Sequence, residues 1–482
     1  MDSNSRSFAL EKYSLKALVC ACVLASACIS SHAGLAEADA AYQNKNYDLA
    51  FKEFLPLAKQ GNAHAQNYVG LMYANGLGVA QNVKDAIRFY KQSAAQGNAL
   101  AQNNLGWMYY TGRGIDKDFT LAERWFNMAA NQGDASAQVN LGSMFYNGHG
   151  MPQDYQEALA FYKLAADQGH PLAQNNLGWM YANGQGTEVN FREAVKWFRL
   201  AAEQKNPLAQ NNLGWLYLNG QGVPQDFKLA FKWFNLSSEQ GDAGAQNNLG
   251  WMYATGKGVA QDSKEAEKWY RMSADQGQSI AQNRLGTMYY NGQGVSRDFK
   301  EAVKWFKLAA DQGSALGQKN LGVMYDMGHG VPQDFKQAVK WYTLSATQGY
   351  VYAQYNLGFM YANGQGVAQD FNEALYWYRL AAAQNNALAI NNLGSMFEDG
   401  QGVSPSKVVA YALYHVSATQ APGTDNKAAD NRKSVAAKMT PALMDAAQQL
   451  IRDINKSGNT LAAIDAYLSK PVVTEVTPVV AK

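Results

Sequence analysis

Cysteine is almost missing from this sequence, and its placement is informative. The 482 residues contain only three cysteines, and all of them lie within the first 33 residues. If that segment is removed during maturation, disulfides, cysteine nucleophiles and thiolate metal sites are excluded together. Any chemistry of the mature chain must then come from other side chains.

Charge is scarce as well. Charged residues make up 17% of the chain, the formal net charge is +2, and no basic block is present. Because nucleic-acid binding requires clustered lysine and arginine, nucleic acid is not expected as a partner. The chain is nevertheless 47% hydrophobic and 12% aromatic, which suffices for a large core and excludes a wholly disordered protein.

Residues 1–33 have the features of a secretory signal peptide. Three basic residues come first, an apolar run follows over residues 17–29, and small residues stand at Ser31 and Ala33. The apolar run is shorter than the roughly 20 residues of a transmembrane helix, so no transmembrane segment is expected in the mature chain. We therefore expect export, to the periplasm or the medium if the organism is bacterial.

A second interpretation of the leader concerns Cys28. The residues before Cys28 loosely resemble a bacterial lipobox, which would make Cys28 a lipidation site. A lipobox prefers a large aliphatic residue three positions before the cysteine, where this chain has Ala25. Lipidation at Cys28 stays open as the alternative to a free, exported chain.

One 36-residue unit recurs ten times without insertion or deletion. All 11 tryptophans fall in two positions of this unit, one residue and nineteen residues after a central glycine. Such regularity predicts a repeat protein built from nearest-neighbour contacts. The central glycines are Gly70, Gly106, Gly142, Gly178, Gly214, Gly250, Gly286, Gly322, Gly358 and Gly394.

Each unit predicts two helices, as residues 209–241 illustrate. The first helix has an apolar stripe with helical spacing and ends where Gly220 and Gly222 allow a positive φ. Asp226 then stands where a carboxylate can cap the second helix. The central glycine and an alanine in the second helix are expected to let a neighbouring backbone approach closely.

These letters resemble the Sel-one-like repeat, a 36-residue relative of the tetratricopeptide repeat. The resemblance rests on AQNNLGWMY followed by G-x-G-V, Asp, Ala, Trp-Phe, Ala-Ala and Gln-Gly, and it covers about residues 61–420. It implies an all-α, right-handed α/α superhelical solenoid whose first helices line a concave surface. It also implies adaptor or scaffold proteins, in bacteria often exported. Cysteine-rich relatives carry a disulfide in each unit, which this chain lacks.

The remaining segments are expected to cap the repeats. After the leader, residues 34–60 look like a degenerate N-terminal capping repeat. Residues 421–468 are expected to form a C-terminal helical cap, with a polar loop over 421–432 and a helix starting near Thr440 and Pro441. Residues 469–482 are expected to be a disordered tail.

No catalytic, cofactor or metal site is predicted. Two histidines occupy the loop between paired glycines, His149 and His329, and are expected to be solvated. The letters Ser404-x-x-Lys407 and Lys456-Ser457-Gly458 match parts of a penicillin-recognising motif, but that chemistry needs a helix and a strand that are not predicted here. A hydrolase, β-lactamase-like or acting on cell-wall-related substrates, is a label carried by some cysteine-rich relatives and stays the alternative function.

A partner-binding surface is predicted on the face of the first helices opposite the apolar stripe. Asparagine can bond an extended backbone, and tryptophan is a frequent anchor in protein interfaces. The alternative is that these side chains pack against the next repeat. The candidate residues are Asn103, Trp107, Tyr110, Asn175, Trp179, Asn211, Trp215, Asn247 and Trp251.

The function predicted from the sequence is an exported, non-enzymatic adaptor. It would bind a protein or peptide on the concave face and need no cofactor. A purely structural envelope scaffold is a further alternative, because the repeat alone does not require a ligand.

Overall fold

The computed structural model describes residues 34–420 and 427–470 of the chain. The predicted leader 1–33 and the tail from residue 471 onward lie outside the described residues, as does 421–426. The described residues form 25 helices and no strand. The helices α3 to α22 make up ten helix-turn-helix units, which confirms the all-α repeat fold.

The chain divides into two compact units, of which the first is Met1–Gln240. Its described part holds five repeats, α3–α4 to α11–α12, preceded by α1 and α2 in the segment expected to form the N-terminal cap. Consecutive helices from α2 to α12 pack against each other. The helices are α1 (34–43), α2 (Tyr47–Lys59), α3 (Ala63–Asn75), α4 (Val83–Ala95), α5 (Ala99–Thr111), α6 (Phe119–Ala130), α7 (Ala135–Asn147), α8 (Tyr155–Asp167), α9 (Pro171–Asn183), α10 (Phe191–Glu203), α11 (Pro207–Asn219) and α12 (Phe227–Ser238).

The second unit, Gly241–Lys482, holds repeats six to ten as α13–α14 to α21–α22. Three further helices follow the repeats and pack against α22 or each other. The helices are α13 (Ala243–Thr255), α14 (Ser263–Asp275), α15 (Ser279–Asn291), α16 (Phe299–Asp311), α17 (Ala315–Met327), α18 (Phe335–Thr347), α19 (Val351–Asn363), α20 (Phe371–Ala383), α21 (Ala387–Asp399), α22 (Lys407–Gln420), α23 (Ala428–Ala436), α24 (Pro441–Ser457) and α25 (Thr460–Leu468).

Polar caps begin the helices of both kinds. In the second helices, Asp118 Oδ1 accepts a hydrogen bond from Leu121 N at 2.9 Å, as the sequence predicts. The first helices have caps that the sequence reading missed, for example Asp134 Oδ1 accepting from Ala137 N at 2.7 Å. Two first helices, α15 and α19, begin without such a bond, at Gln278 and Tyr350.

Each first helix ends at the paired glycines. Gly76 caps α3 with φ 69°, and Gly78 follows with φ 64°. A Cβ at Gly78 would overlap the carbonyl of Tyr47, at the start of the preceding second helix. The second glycine is therefore required for close packing as well as for its backbone angle.

The central glycine makes room for a ring, and here the sequence reading was incomplete. A Cβ at Gly70 would lie 2.7 Å from Cδ1 of Tyr90, and one at Gly106 would lie the same distance from Cδ1 of Phe126. Both rings belong to the second helix of the same repeat. The expected close approach of a backbone is present too, since the carbonyl oxygen of Ala86 would lie 3.2 Å from the same Cβ at Gly70.

The tryptophans of the second helices lie in or beside the core. Trp197 is 6% exposed and belongs to an apolar cluster that combines Leu177 of its own repeat with Val139 and Tyr162 of the preceding repeat. Trp305 is likewise buried, whereas Trp233 is half-buried. These tryptophans stabilise contacts between consecutive repeats.

The C-terminal helices partly match the expectation. α24 begins at Pro441, and Thr440 Oγ1 accepts from Leu443 N, where a helix start was predicted. The polar loop expected over 421–432 is wrong in its second half, because α23 already begins at Ala428. Ala428 is buried, so this segment gains packing that its polar composition did not indicate.

Candidate functional surface on the first helices

Three tryptophans of the first helices are largely in solvent. Trp107 and Trp179 are each 46% exposed and Trp215 is 45% exposed. They lie on α5, α9 and α11, each directly after a buried glycine. Because a large indole is costly to leave in water, a row of exposed tryptophans is typical of a binding surface.

The exposed tryptophans have apolar neighbours that the sequence reading missed. A leucine precedes each of them by seven residues, which places both on the same face of the helix. These leucines are exposed, at the first turn of each helix. The signal was present in the sequence, as the position six residues before the central glycine. We call these six side chains the first-helix surface: Leu100, Trp107, Leu172, Trp179, Leu208 and Trp215.

Trp251 differs from the other candidate tryptophans. It is half-buried and packs beside the apolar cluster of α14 and α15. The ammonium of Lys257 lies 5.0 Å from its ring centroid. Trp251 therefore has packing partners of its own, as the alternative interpretation expected for this position.

The candidate asparagines form hydrogen bonds between repeats. Asn140 Nδ2 donates to Asn103 Oδ1 at 2.8 Å, and Asn212 Nδ2 donates to Asn175 Oδ1 at 3.1 Å. Asn175 is only 5% exposed. The carbonyl oxygens of Asn103 and Asn175 thus join neighbouring first helices, and they are already occupied before any ligand arrives.

The two remaining candidate asparagines are half-buried. Asn211 lies on α11 beside Trp215, and it has a polar partner within the protein. Asn247, on α13, has a buried Oδ1 without a hydrogen-bond partner. The residue 37 positions further on, which donates in the other pairs, is here Arg284. The series of asparagine pairs that joins neighbouring first helices is therefore interrupted at Asn247.

Tyr110 links the exposed surface to the next repeat. Its ring lies 5.5 Å from that of Trp107, and its hydroxyl is 2.8 Å from His149 Nδ1. Burial raises the pKa of Tyr110, which keeps the hydroxyl protonated. His149 also stacks on Phe119 at 5.2 Å, so the prediction that it is solvated was wrong. The same holds for His329, which stacks on Phe299 at 4.5 Å.

A buried glutamine in every first helix from α3 to α19 fixes the positions of three helices, whereas α21 has Ile390 at this position. Gln102 Nε2 donates to Ala94 O at 3.2 Å, and Gln102 Oε1 accepts from Gln132 Nε2 at 2.8 Å. The same bonding recurs along the repeats up to Gln354. Since a buried amide must be bonded to be tolerated, these pairs hold the first helices in a defined register. The sequence reading did not recognise this role.

The residues considered for hydrolysis lie at helix ends. Ser404 precedes α22, whose first residue is Lys407, and Ser457 ends α24, where its hydroxyl bonds Ile454 O at 3.0 Å. Neither set has the helix-and-strand context that penicillin-recognising chemistry requires. Among residues 34–420 and 427–470, no group of three His, Cys, Asp or Glu could hold a metal ion. The arrangement offers apolar and amide contacts rather than acid, base or nucleophile.

Within the described part of the chain, no helix is both long and apolar enough to cross a bilayer.

Comparison with known proteins assigns the chain to a family. The Sel1 repeat model matches ten consecutive segments, from 63–98 to 387–421. The chain therefore belongs to the Sel1 repeat family, and it is a repeat scaffold protein with a fold suited to protein binding. No curated protein matches the sequence significantly.

Solved structures agree with this assignment. A protective antigen present in uropathogenic Escherichia coli strains, which displays the same repeat fold, is 33% identical with a TM-score of 0.72. The match covers 93% of this chain and 96% of that one. A Sel1 repeat protein from Oxalobacter formigenes is also 33% identical, covering 64% of this chain and 89% of that chain with a TM-score of 0.48.

Proposed function

We propose that this protein is an exported, non-enzymatic adaptor that binds an extended segment of a partner protein on its first-helix surface. The observation that carries the proposal is the solvent exposure of Trp107, Trp179 and Trp215 on helices whose apolar stripes are buried in the core. A scaffold without a ligand has no need for indoles in water at three equivalent positions. Aromatic anchors of this kind supply a large part of the binding free energy in protein interfaces.

Rigidity supports the same proposal. The glutamine and asparagine bonds fix first helices against their neighbours, so the tryptophans are held in place before binding, although α7 between α5 and α9 has Ser143 at the tryptophan position. A preorganised surface loses little conformational entropy when a ligand arrives. An extended peptide could contact one tryptophan after another while its backbone polar groups remain near solvent.

Export rests on the leader and on one relative. Residues 1–33 fit a cleaved signal peptide, and the similar Escherichia coli protein is a protective antigen, which fits contact with the outside of the cell. Mass spectrometry of the purified protein tests this proposal. An N-terminus at residue 34 supports a free exported chain, lipid on Cys28 supports an anchored one, and an intact N-terminus contradicts export.

Site-specific photo-crosslinking tests the binding proposal. A photoreactive phenylalanine analogue replaces Trp107, Trp179 or Trp215 in the full chain, and Lys228 serves as the control position on the exposed face of α12. The proposal expects one common partner to be captured from the three tryptophan positions and not from position 228. Equal labelling at all four positions would instead support a structural scaffold without a defined binding face.

A further inference from the structure

Positive charge on the first helices is confined to two neighbouring repeats. Across the ten first helices, α3 to α21, the only lysine and arginine residues are Arg284 on α15 and Lys319 on α17. Both replace an asparagine that most other repeats have at the same position. The only other charged residue of α15, α17 and α19 is Asp326, in the last turn of α17, whose carboxylate accepts a hydrogen bond from the Tyr342 hydroxyl, so the three helices together carry a net positive charge.

The two cations flank one asparagine pair. Asn320 Nδ2 donates to Asn283 Oδ1 at 2.6 Å, which joins α17 to α15. Arg284 directly follows Asn283, and Lys319 directly precedes Asn320. Each is half-buried. Because the pair holds the two helices side by side, the cations are placed on one continuous surface.

Neither cation has an anionic partner within the described residues. Arg284 donates to the Tyr270 hydroxyl at 3.4 Å, and its guanidinium lies 5.5 Å from the Tyr270 ring centroid. Lys319 forms no ion pair with any described carboxylate. Burial lowers the pKa of the Lys319 ammonium, because nothing nearby compensates for its lost hydration.

Exposed apolar side chains surround the two cations. Ile280 stands one helical turn before Arg284, and Leu316 stands one turn before Lys319. Both are exposed, Ile280 at 58%, and the next first helix adds exposed Tyr352 and Phe359. Apolar and charged contacts on one surface suit an extended peptide in which aspartate and leucine recur two positions apart, because residues i and i+2 of an extended chain point to the same side.

We infer that α15, α17 and α19 bind an acidic peptide segment, whose carboxylates pair with Arg284 and Lys319 while its apolar side chains contact the exposed residues around them. This inference rests on the proposed function and specifies the chemistry of the partner. A carboxylate would supply the counter-charge that both cations lack, and desolvated ion pairs of this kind favour one partner over its neutral analogue.

Fluorescence anisotropy with two labelled probe peptides tests the inference. In one peptide aspartate and leucine take turns at every second position, with serine between them, and in the other asparagine replaces every aspartate. The full chain should bind the aspartate peptide about tenfold more tightly, since hydrogen bonds to charged groups exceed those to neutral groups by about that factor. The preference should decrease as salt is raised, because ion pairs at a half-exposed site are screened.

Matched variants separate charge from folding. Arg284→Asn and Lys319→Asn introduce the residue that the other repeats use, so they preserve the fold, and together they should abolish the preference for aspartate. Lys300→Asn removes one charge from the exposed face of α16 and should leave it intact. Melting curves of all variants confirm that the fold is retained.

Several results would overturn the inference. If both peptides bind equally and Phe359→Ala weakens both, α15 to α19 bind peptides without an acidic preference, and the proposed function, which concerns Trp107, Trp179 and Trp215, is not affected by this result. If the preference survives in the double asparagine variant, the carboxylates bind elsewhere. If the aspartate peptide does not bind at all, or a single-stranded RNA of equal charge binds more tightly, the acidic-peptide assignment is wrong.

Discussion

Asn140 Nδ2 donates a hydrogen bond to Asn103 Oδ1 over 2.8 Å and joins α7 to α5. Four residues after Asn103, Trp107 lies on the neighbouring part of the same helix face and is 46% exposed. One turn of helix thus separates a residue that connects repeats from one that faces solvent. Because bonded and exposed residues lie one turn apart on the first helices, the same surface can be rigid and still be accessible to a partner.

The missing asparagine pair at Asn247 predicts a stabilising substitution. Arg284→Asn should supply the missing donor to Asn247 Oδ1, which is buried and unbonded. The gain should be about 0.5–1.5 kcal/mol, the net value of one hydrogen bond. Hydrogen exchange of the amides in α13 and α15 measures it locally, which suits a repeat protein whose unfolding need not be two-state.

Arg284→Ala is the control for that prediction. It removes the same charge but offers no amide, so it should not slow exchange in α13. If Arg284→Ala protects α13 as strongly as Arg284→Asn does, the effect comes from the lost charge and the unsatisfied Asn247 is irrelevant to stability.

Two glycines with a positive φ, Gly97 after α4 and Gly78 after α3, predict unequal effects of one substitution. Gly97 has φ 87° and open space where a Cβ would go, so Gly97→Ala should cost about 1–2 kcal/mol from the backbone angle alone. Gly78→Ala adds an overlap with the Tyr47 carbonyl and should cost clearly more. Thermal melts of the two variants provide the comparison, and equal melting temperatures would contradict the packing role of Gly78.

Much of the fold was predictable because the repeat supplies ten copies of the same evidence. The period, both helices, the glycine turn and caps such as Asp118 follow from residue types whose preferences are local. The structural reason for the central glycine was harder to predict from the sequence. Which ring lies on Gly70 depends on how two helices cross, and helical periodicity does not specify that.

The candidate surface was only partly predictable for a similar reason. A helical wheel places Asn103 and Trp107 on one face, but it does not say that the next helix covers the first and leaves the second exposed. Trp251 shows the same limit, since its equivalents are exposed and it is half-buried. Leu100 could have been found, because it shares the face of Trp107.

The C-terminal helices predict a pH dependence through His415. Its Nδ1 is 2.9 Å from Arg432 NH1 and must be unprotonated to accept that hydrogen bond. Burial, and then the charge of Arg432, lower the pKa of His415 in the folded state. The unfolded chain therefore binds the proton more readily, so this contribution to stability is present above about pH 6.5 and is lost as the pH falls below that value.

Hydrogen exchange of α22 and α23 at about pH 7.5 and about pH 5.5 measures this effect. After division by the intrinsic exchange rate, which is itself lower in acid, the wild type should be less protected at the lower pH, and the difference should be smaller in His415→Gln, which cannot gain a proton. A difference of equal size in the variant would assign the pH dependence to other groups.

The central claim is that the exposed tryptophans bind a partner while the buried ones maintain the fold. The most direct measurement compares Trp179→Ala and Trp197→Ala with the wild type. Isothermal titration measures binding of the partner identified by photo-crosslinking, and thermal melts measure stability. We predict that Trp179→Ala weakens binding by at least about thirtyfold with nearly unchanged melting, the loss of one aromatic anchor of about 2 kcal/mol. Trp197→Ala should instead cost about 3–5 kcal/mol of stability. If Trp179→Ala unfolds the chain as severely as Trp197→Ala, or leaves binding unchanged, the first-helix surface is not the binding site.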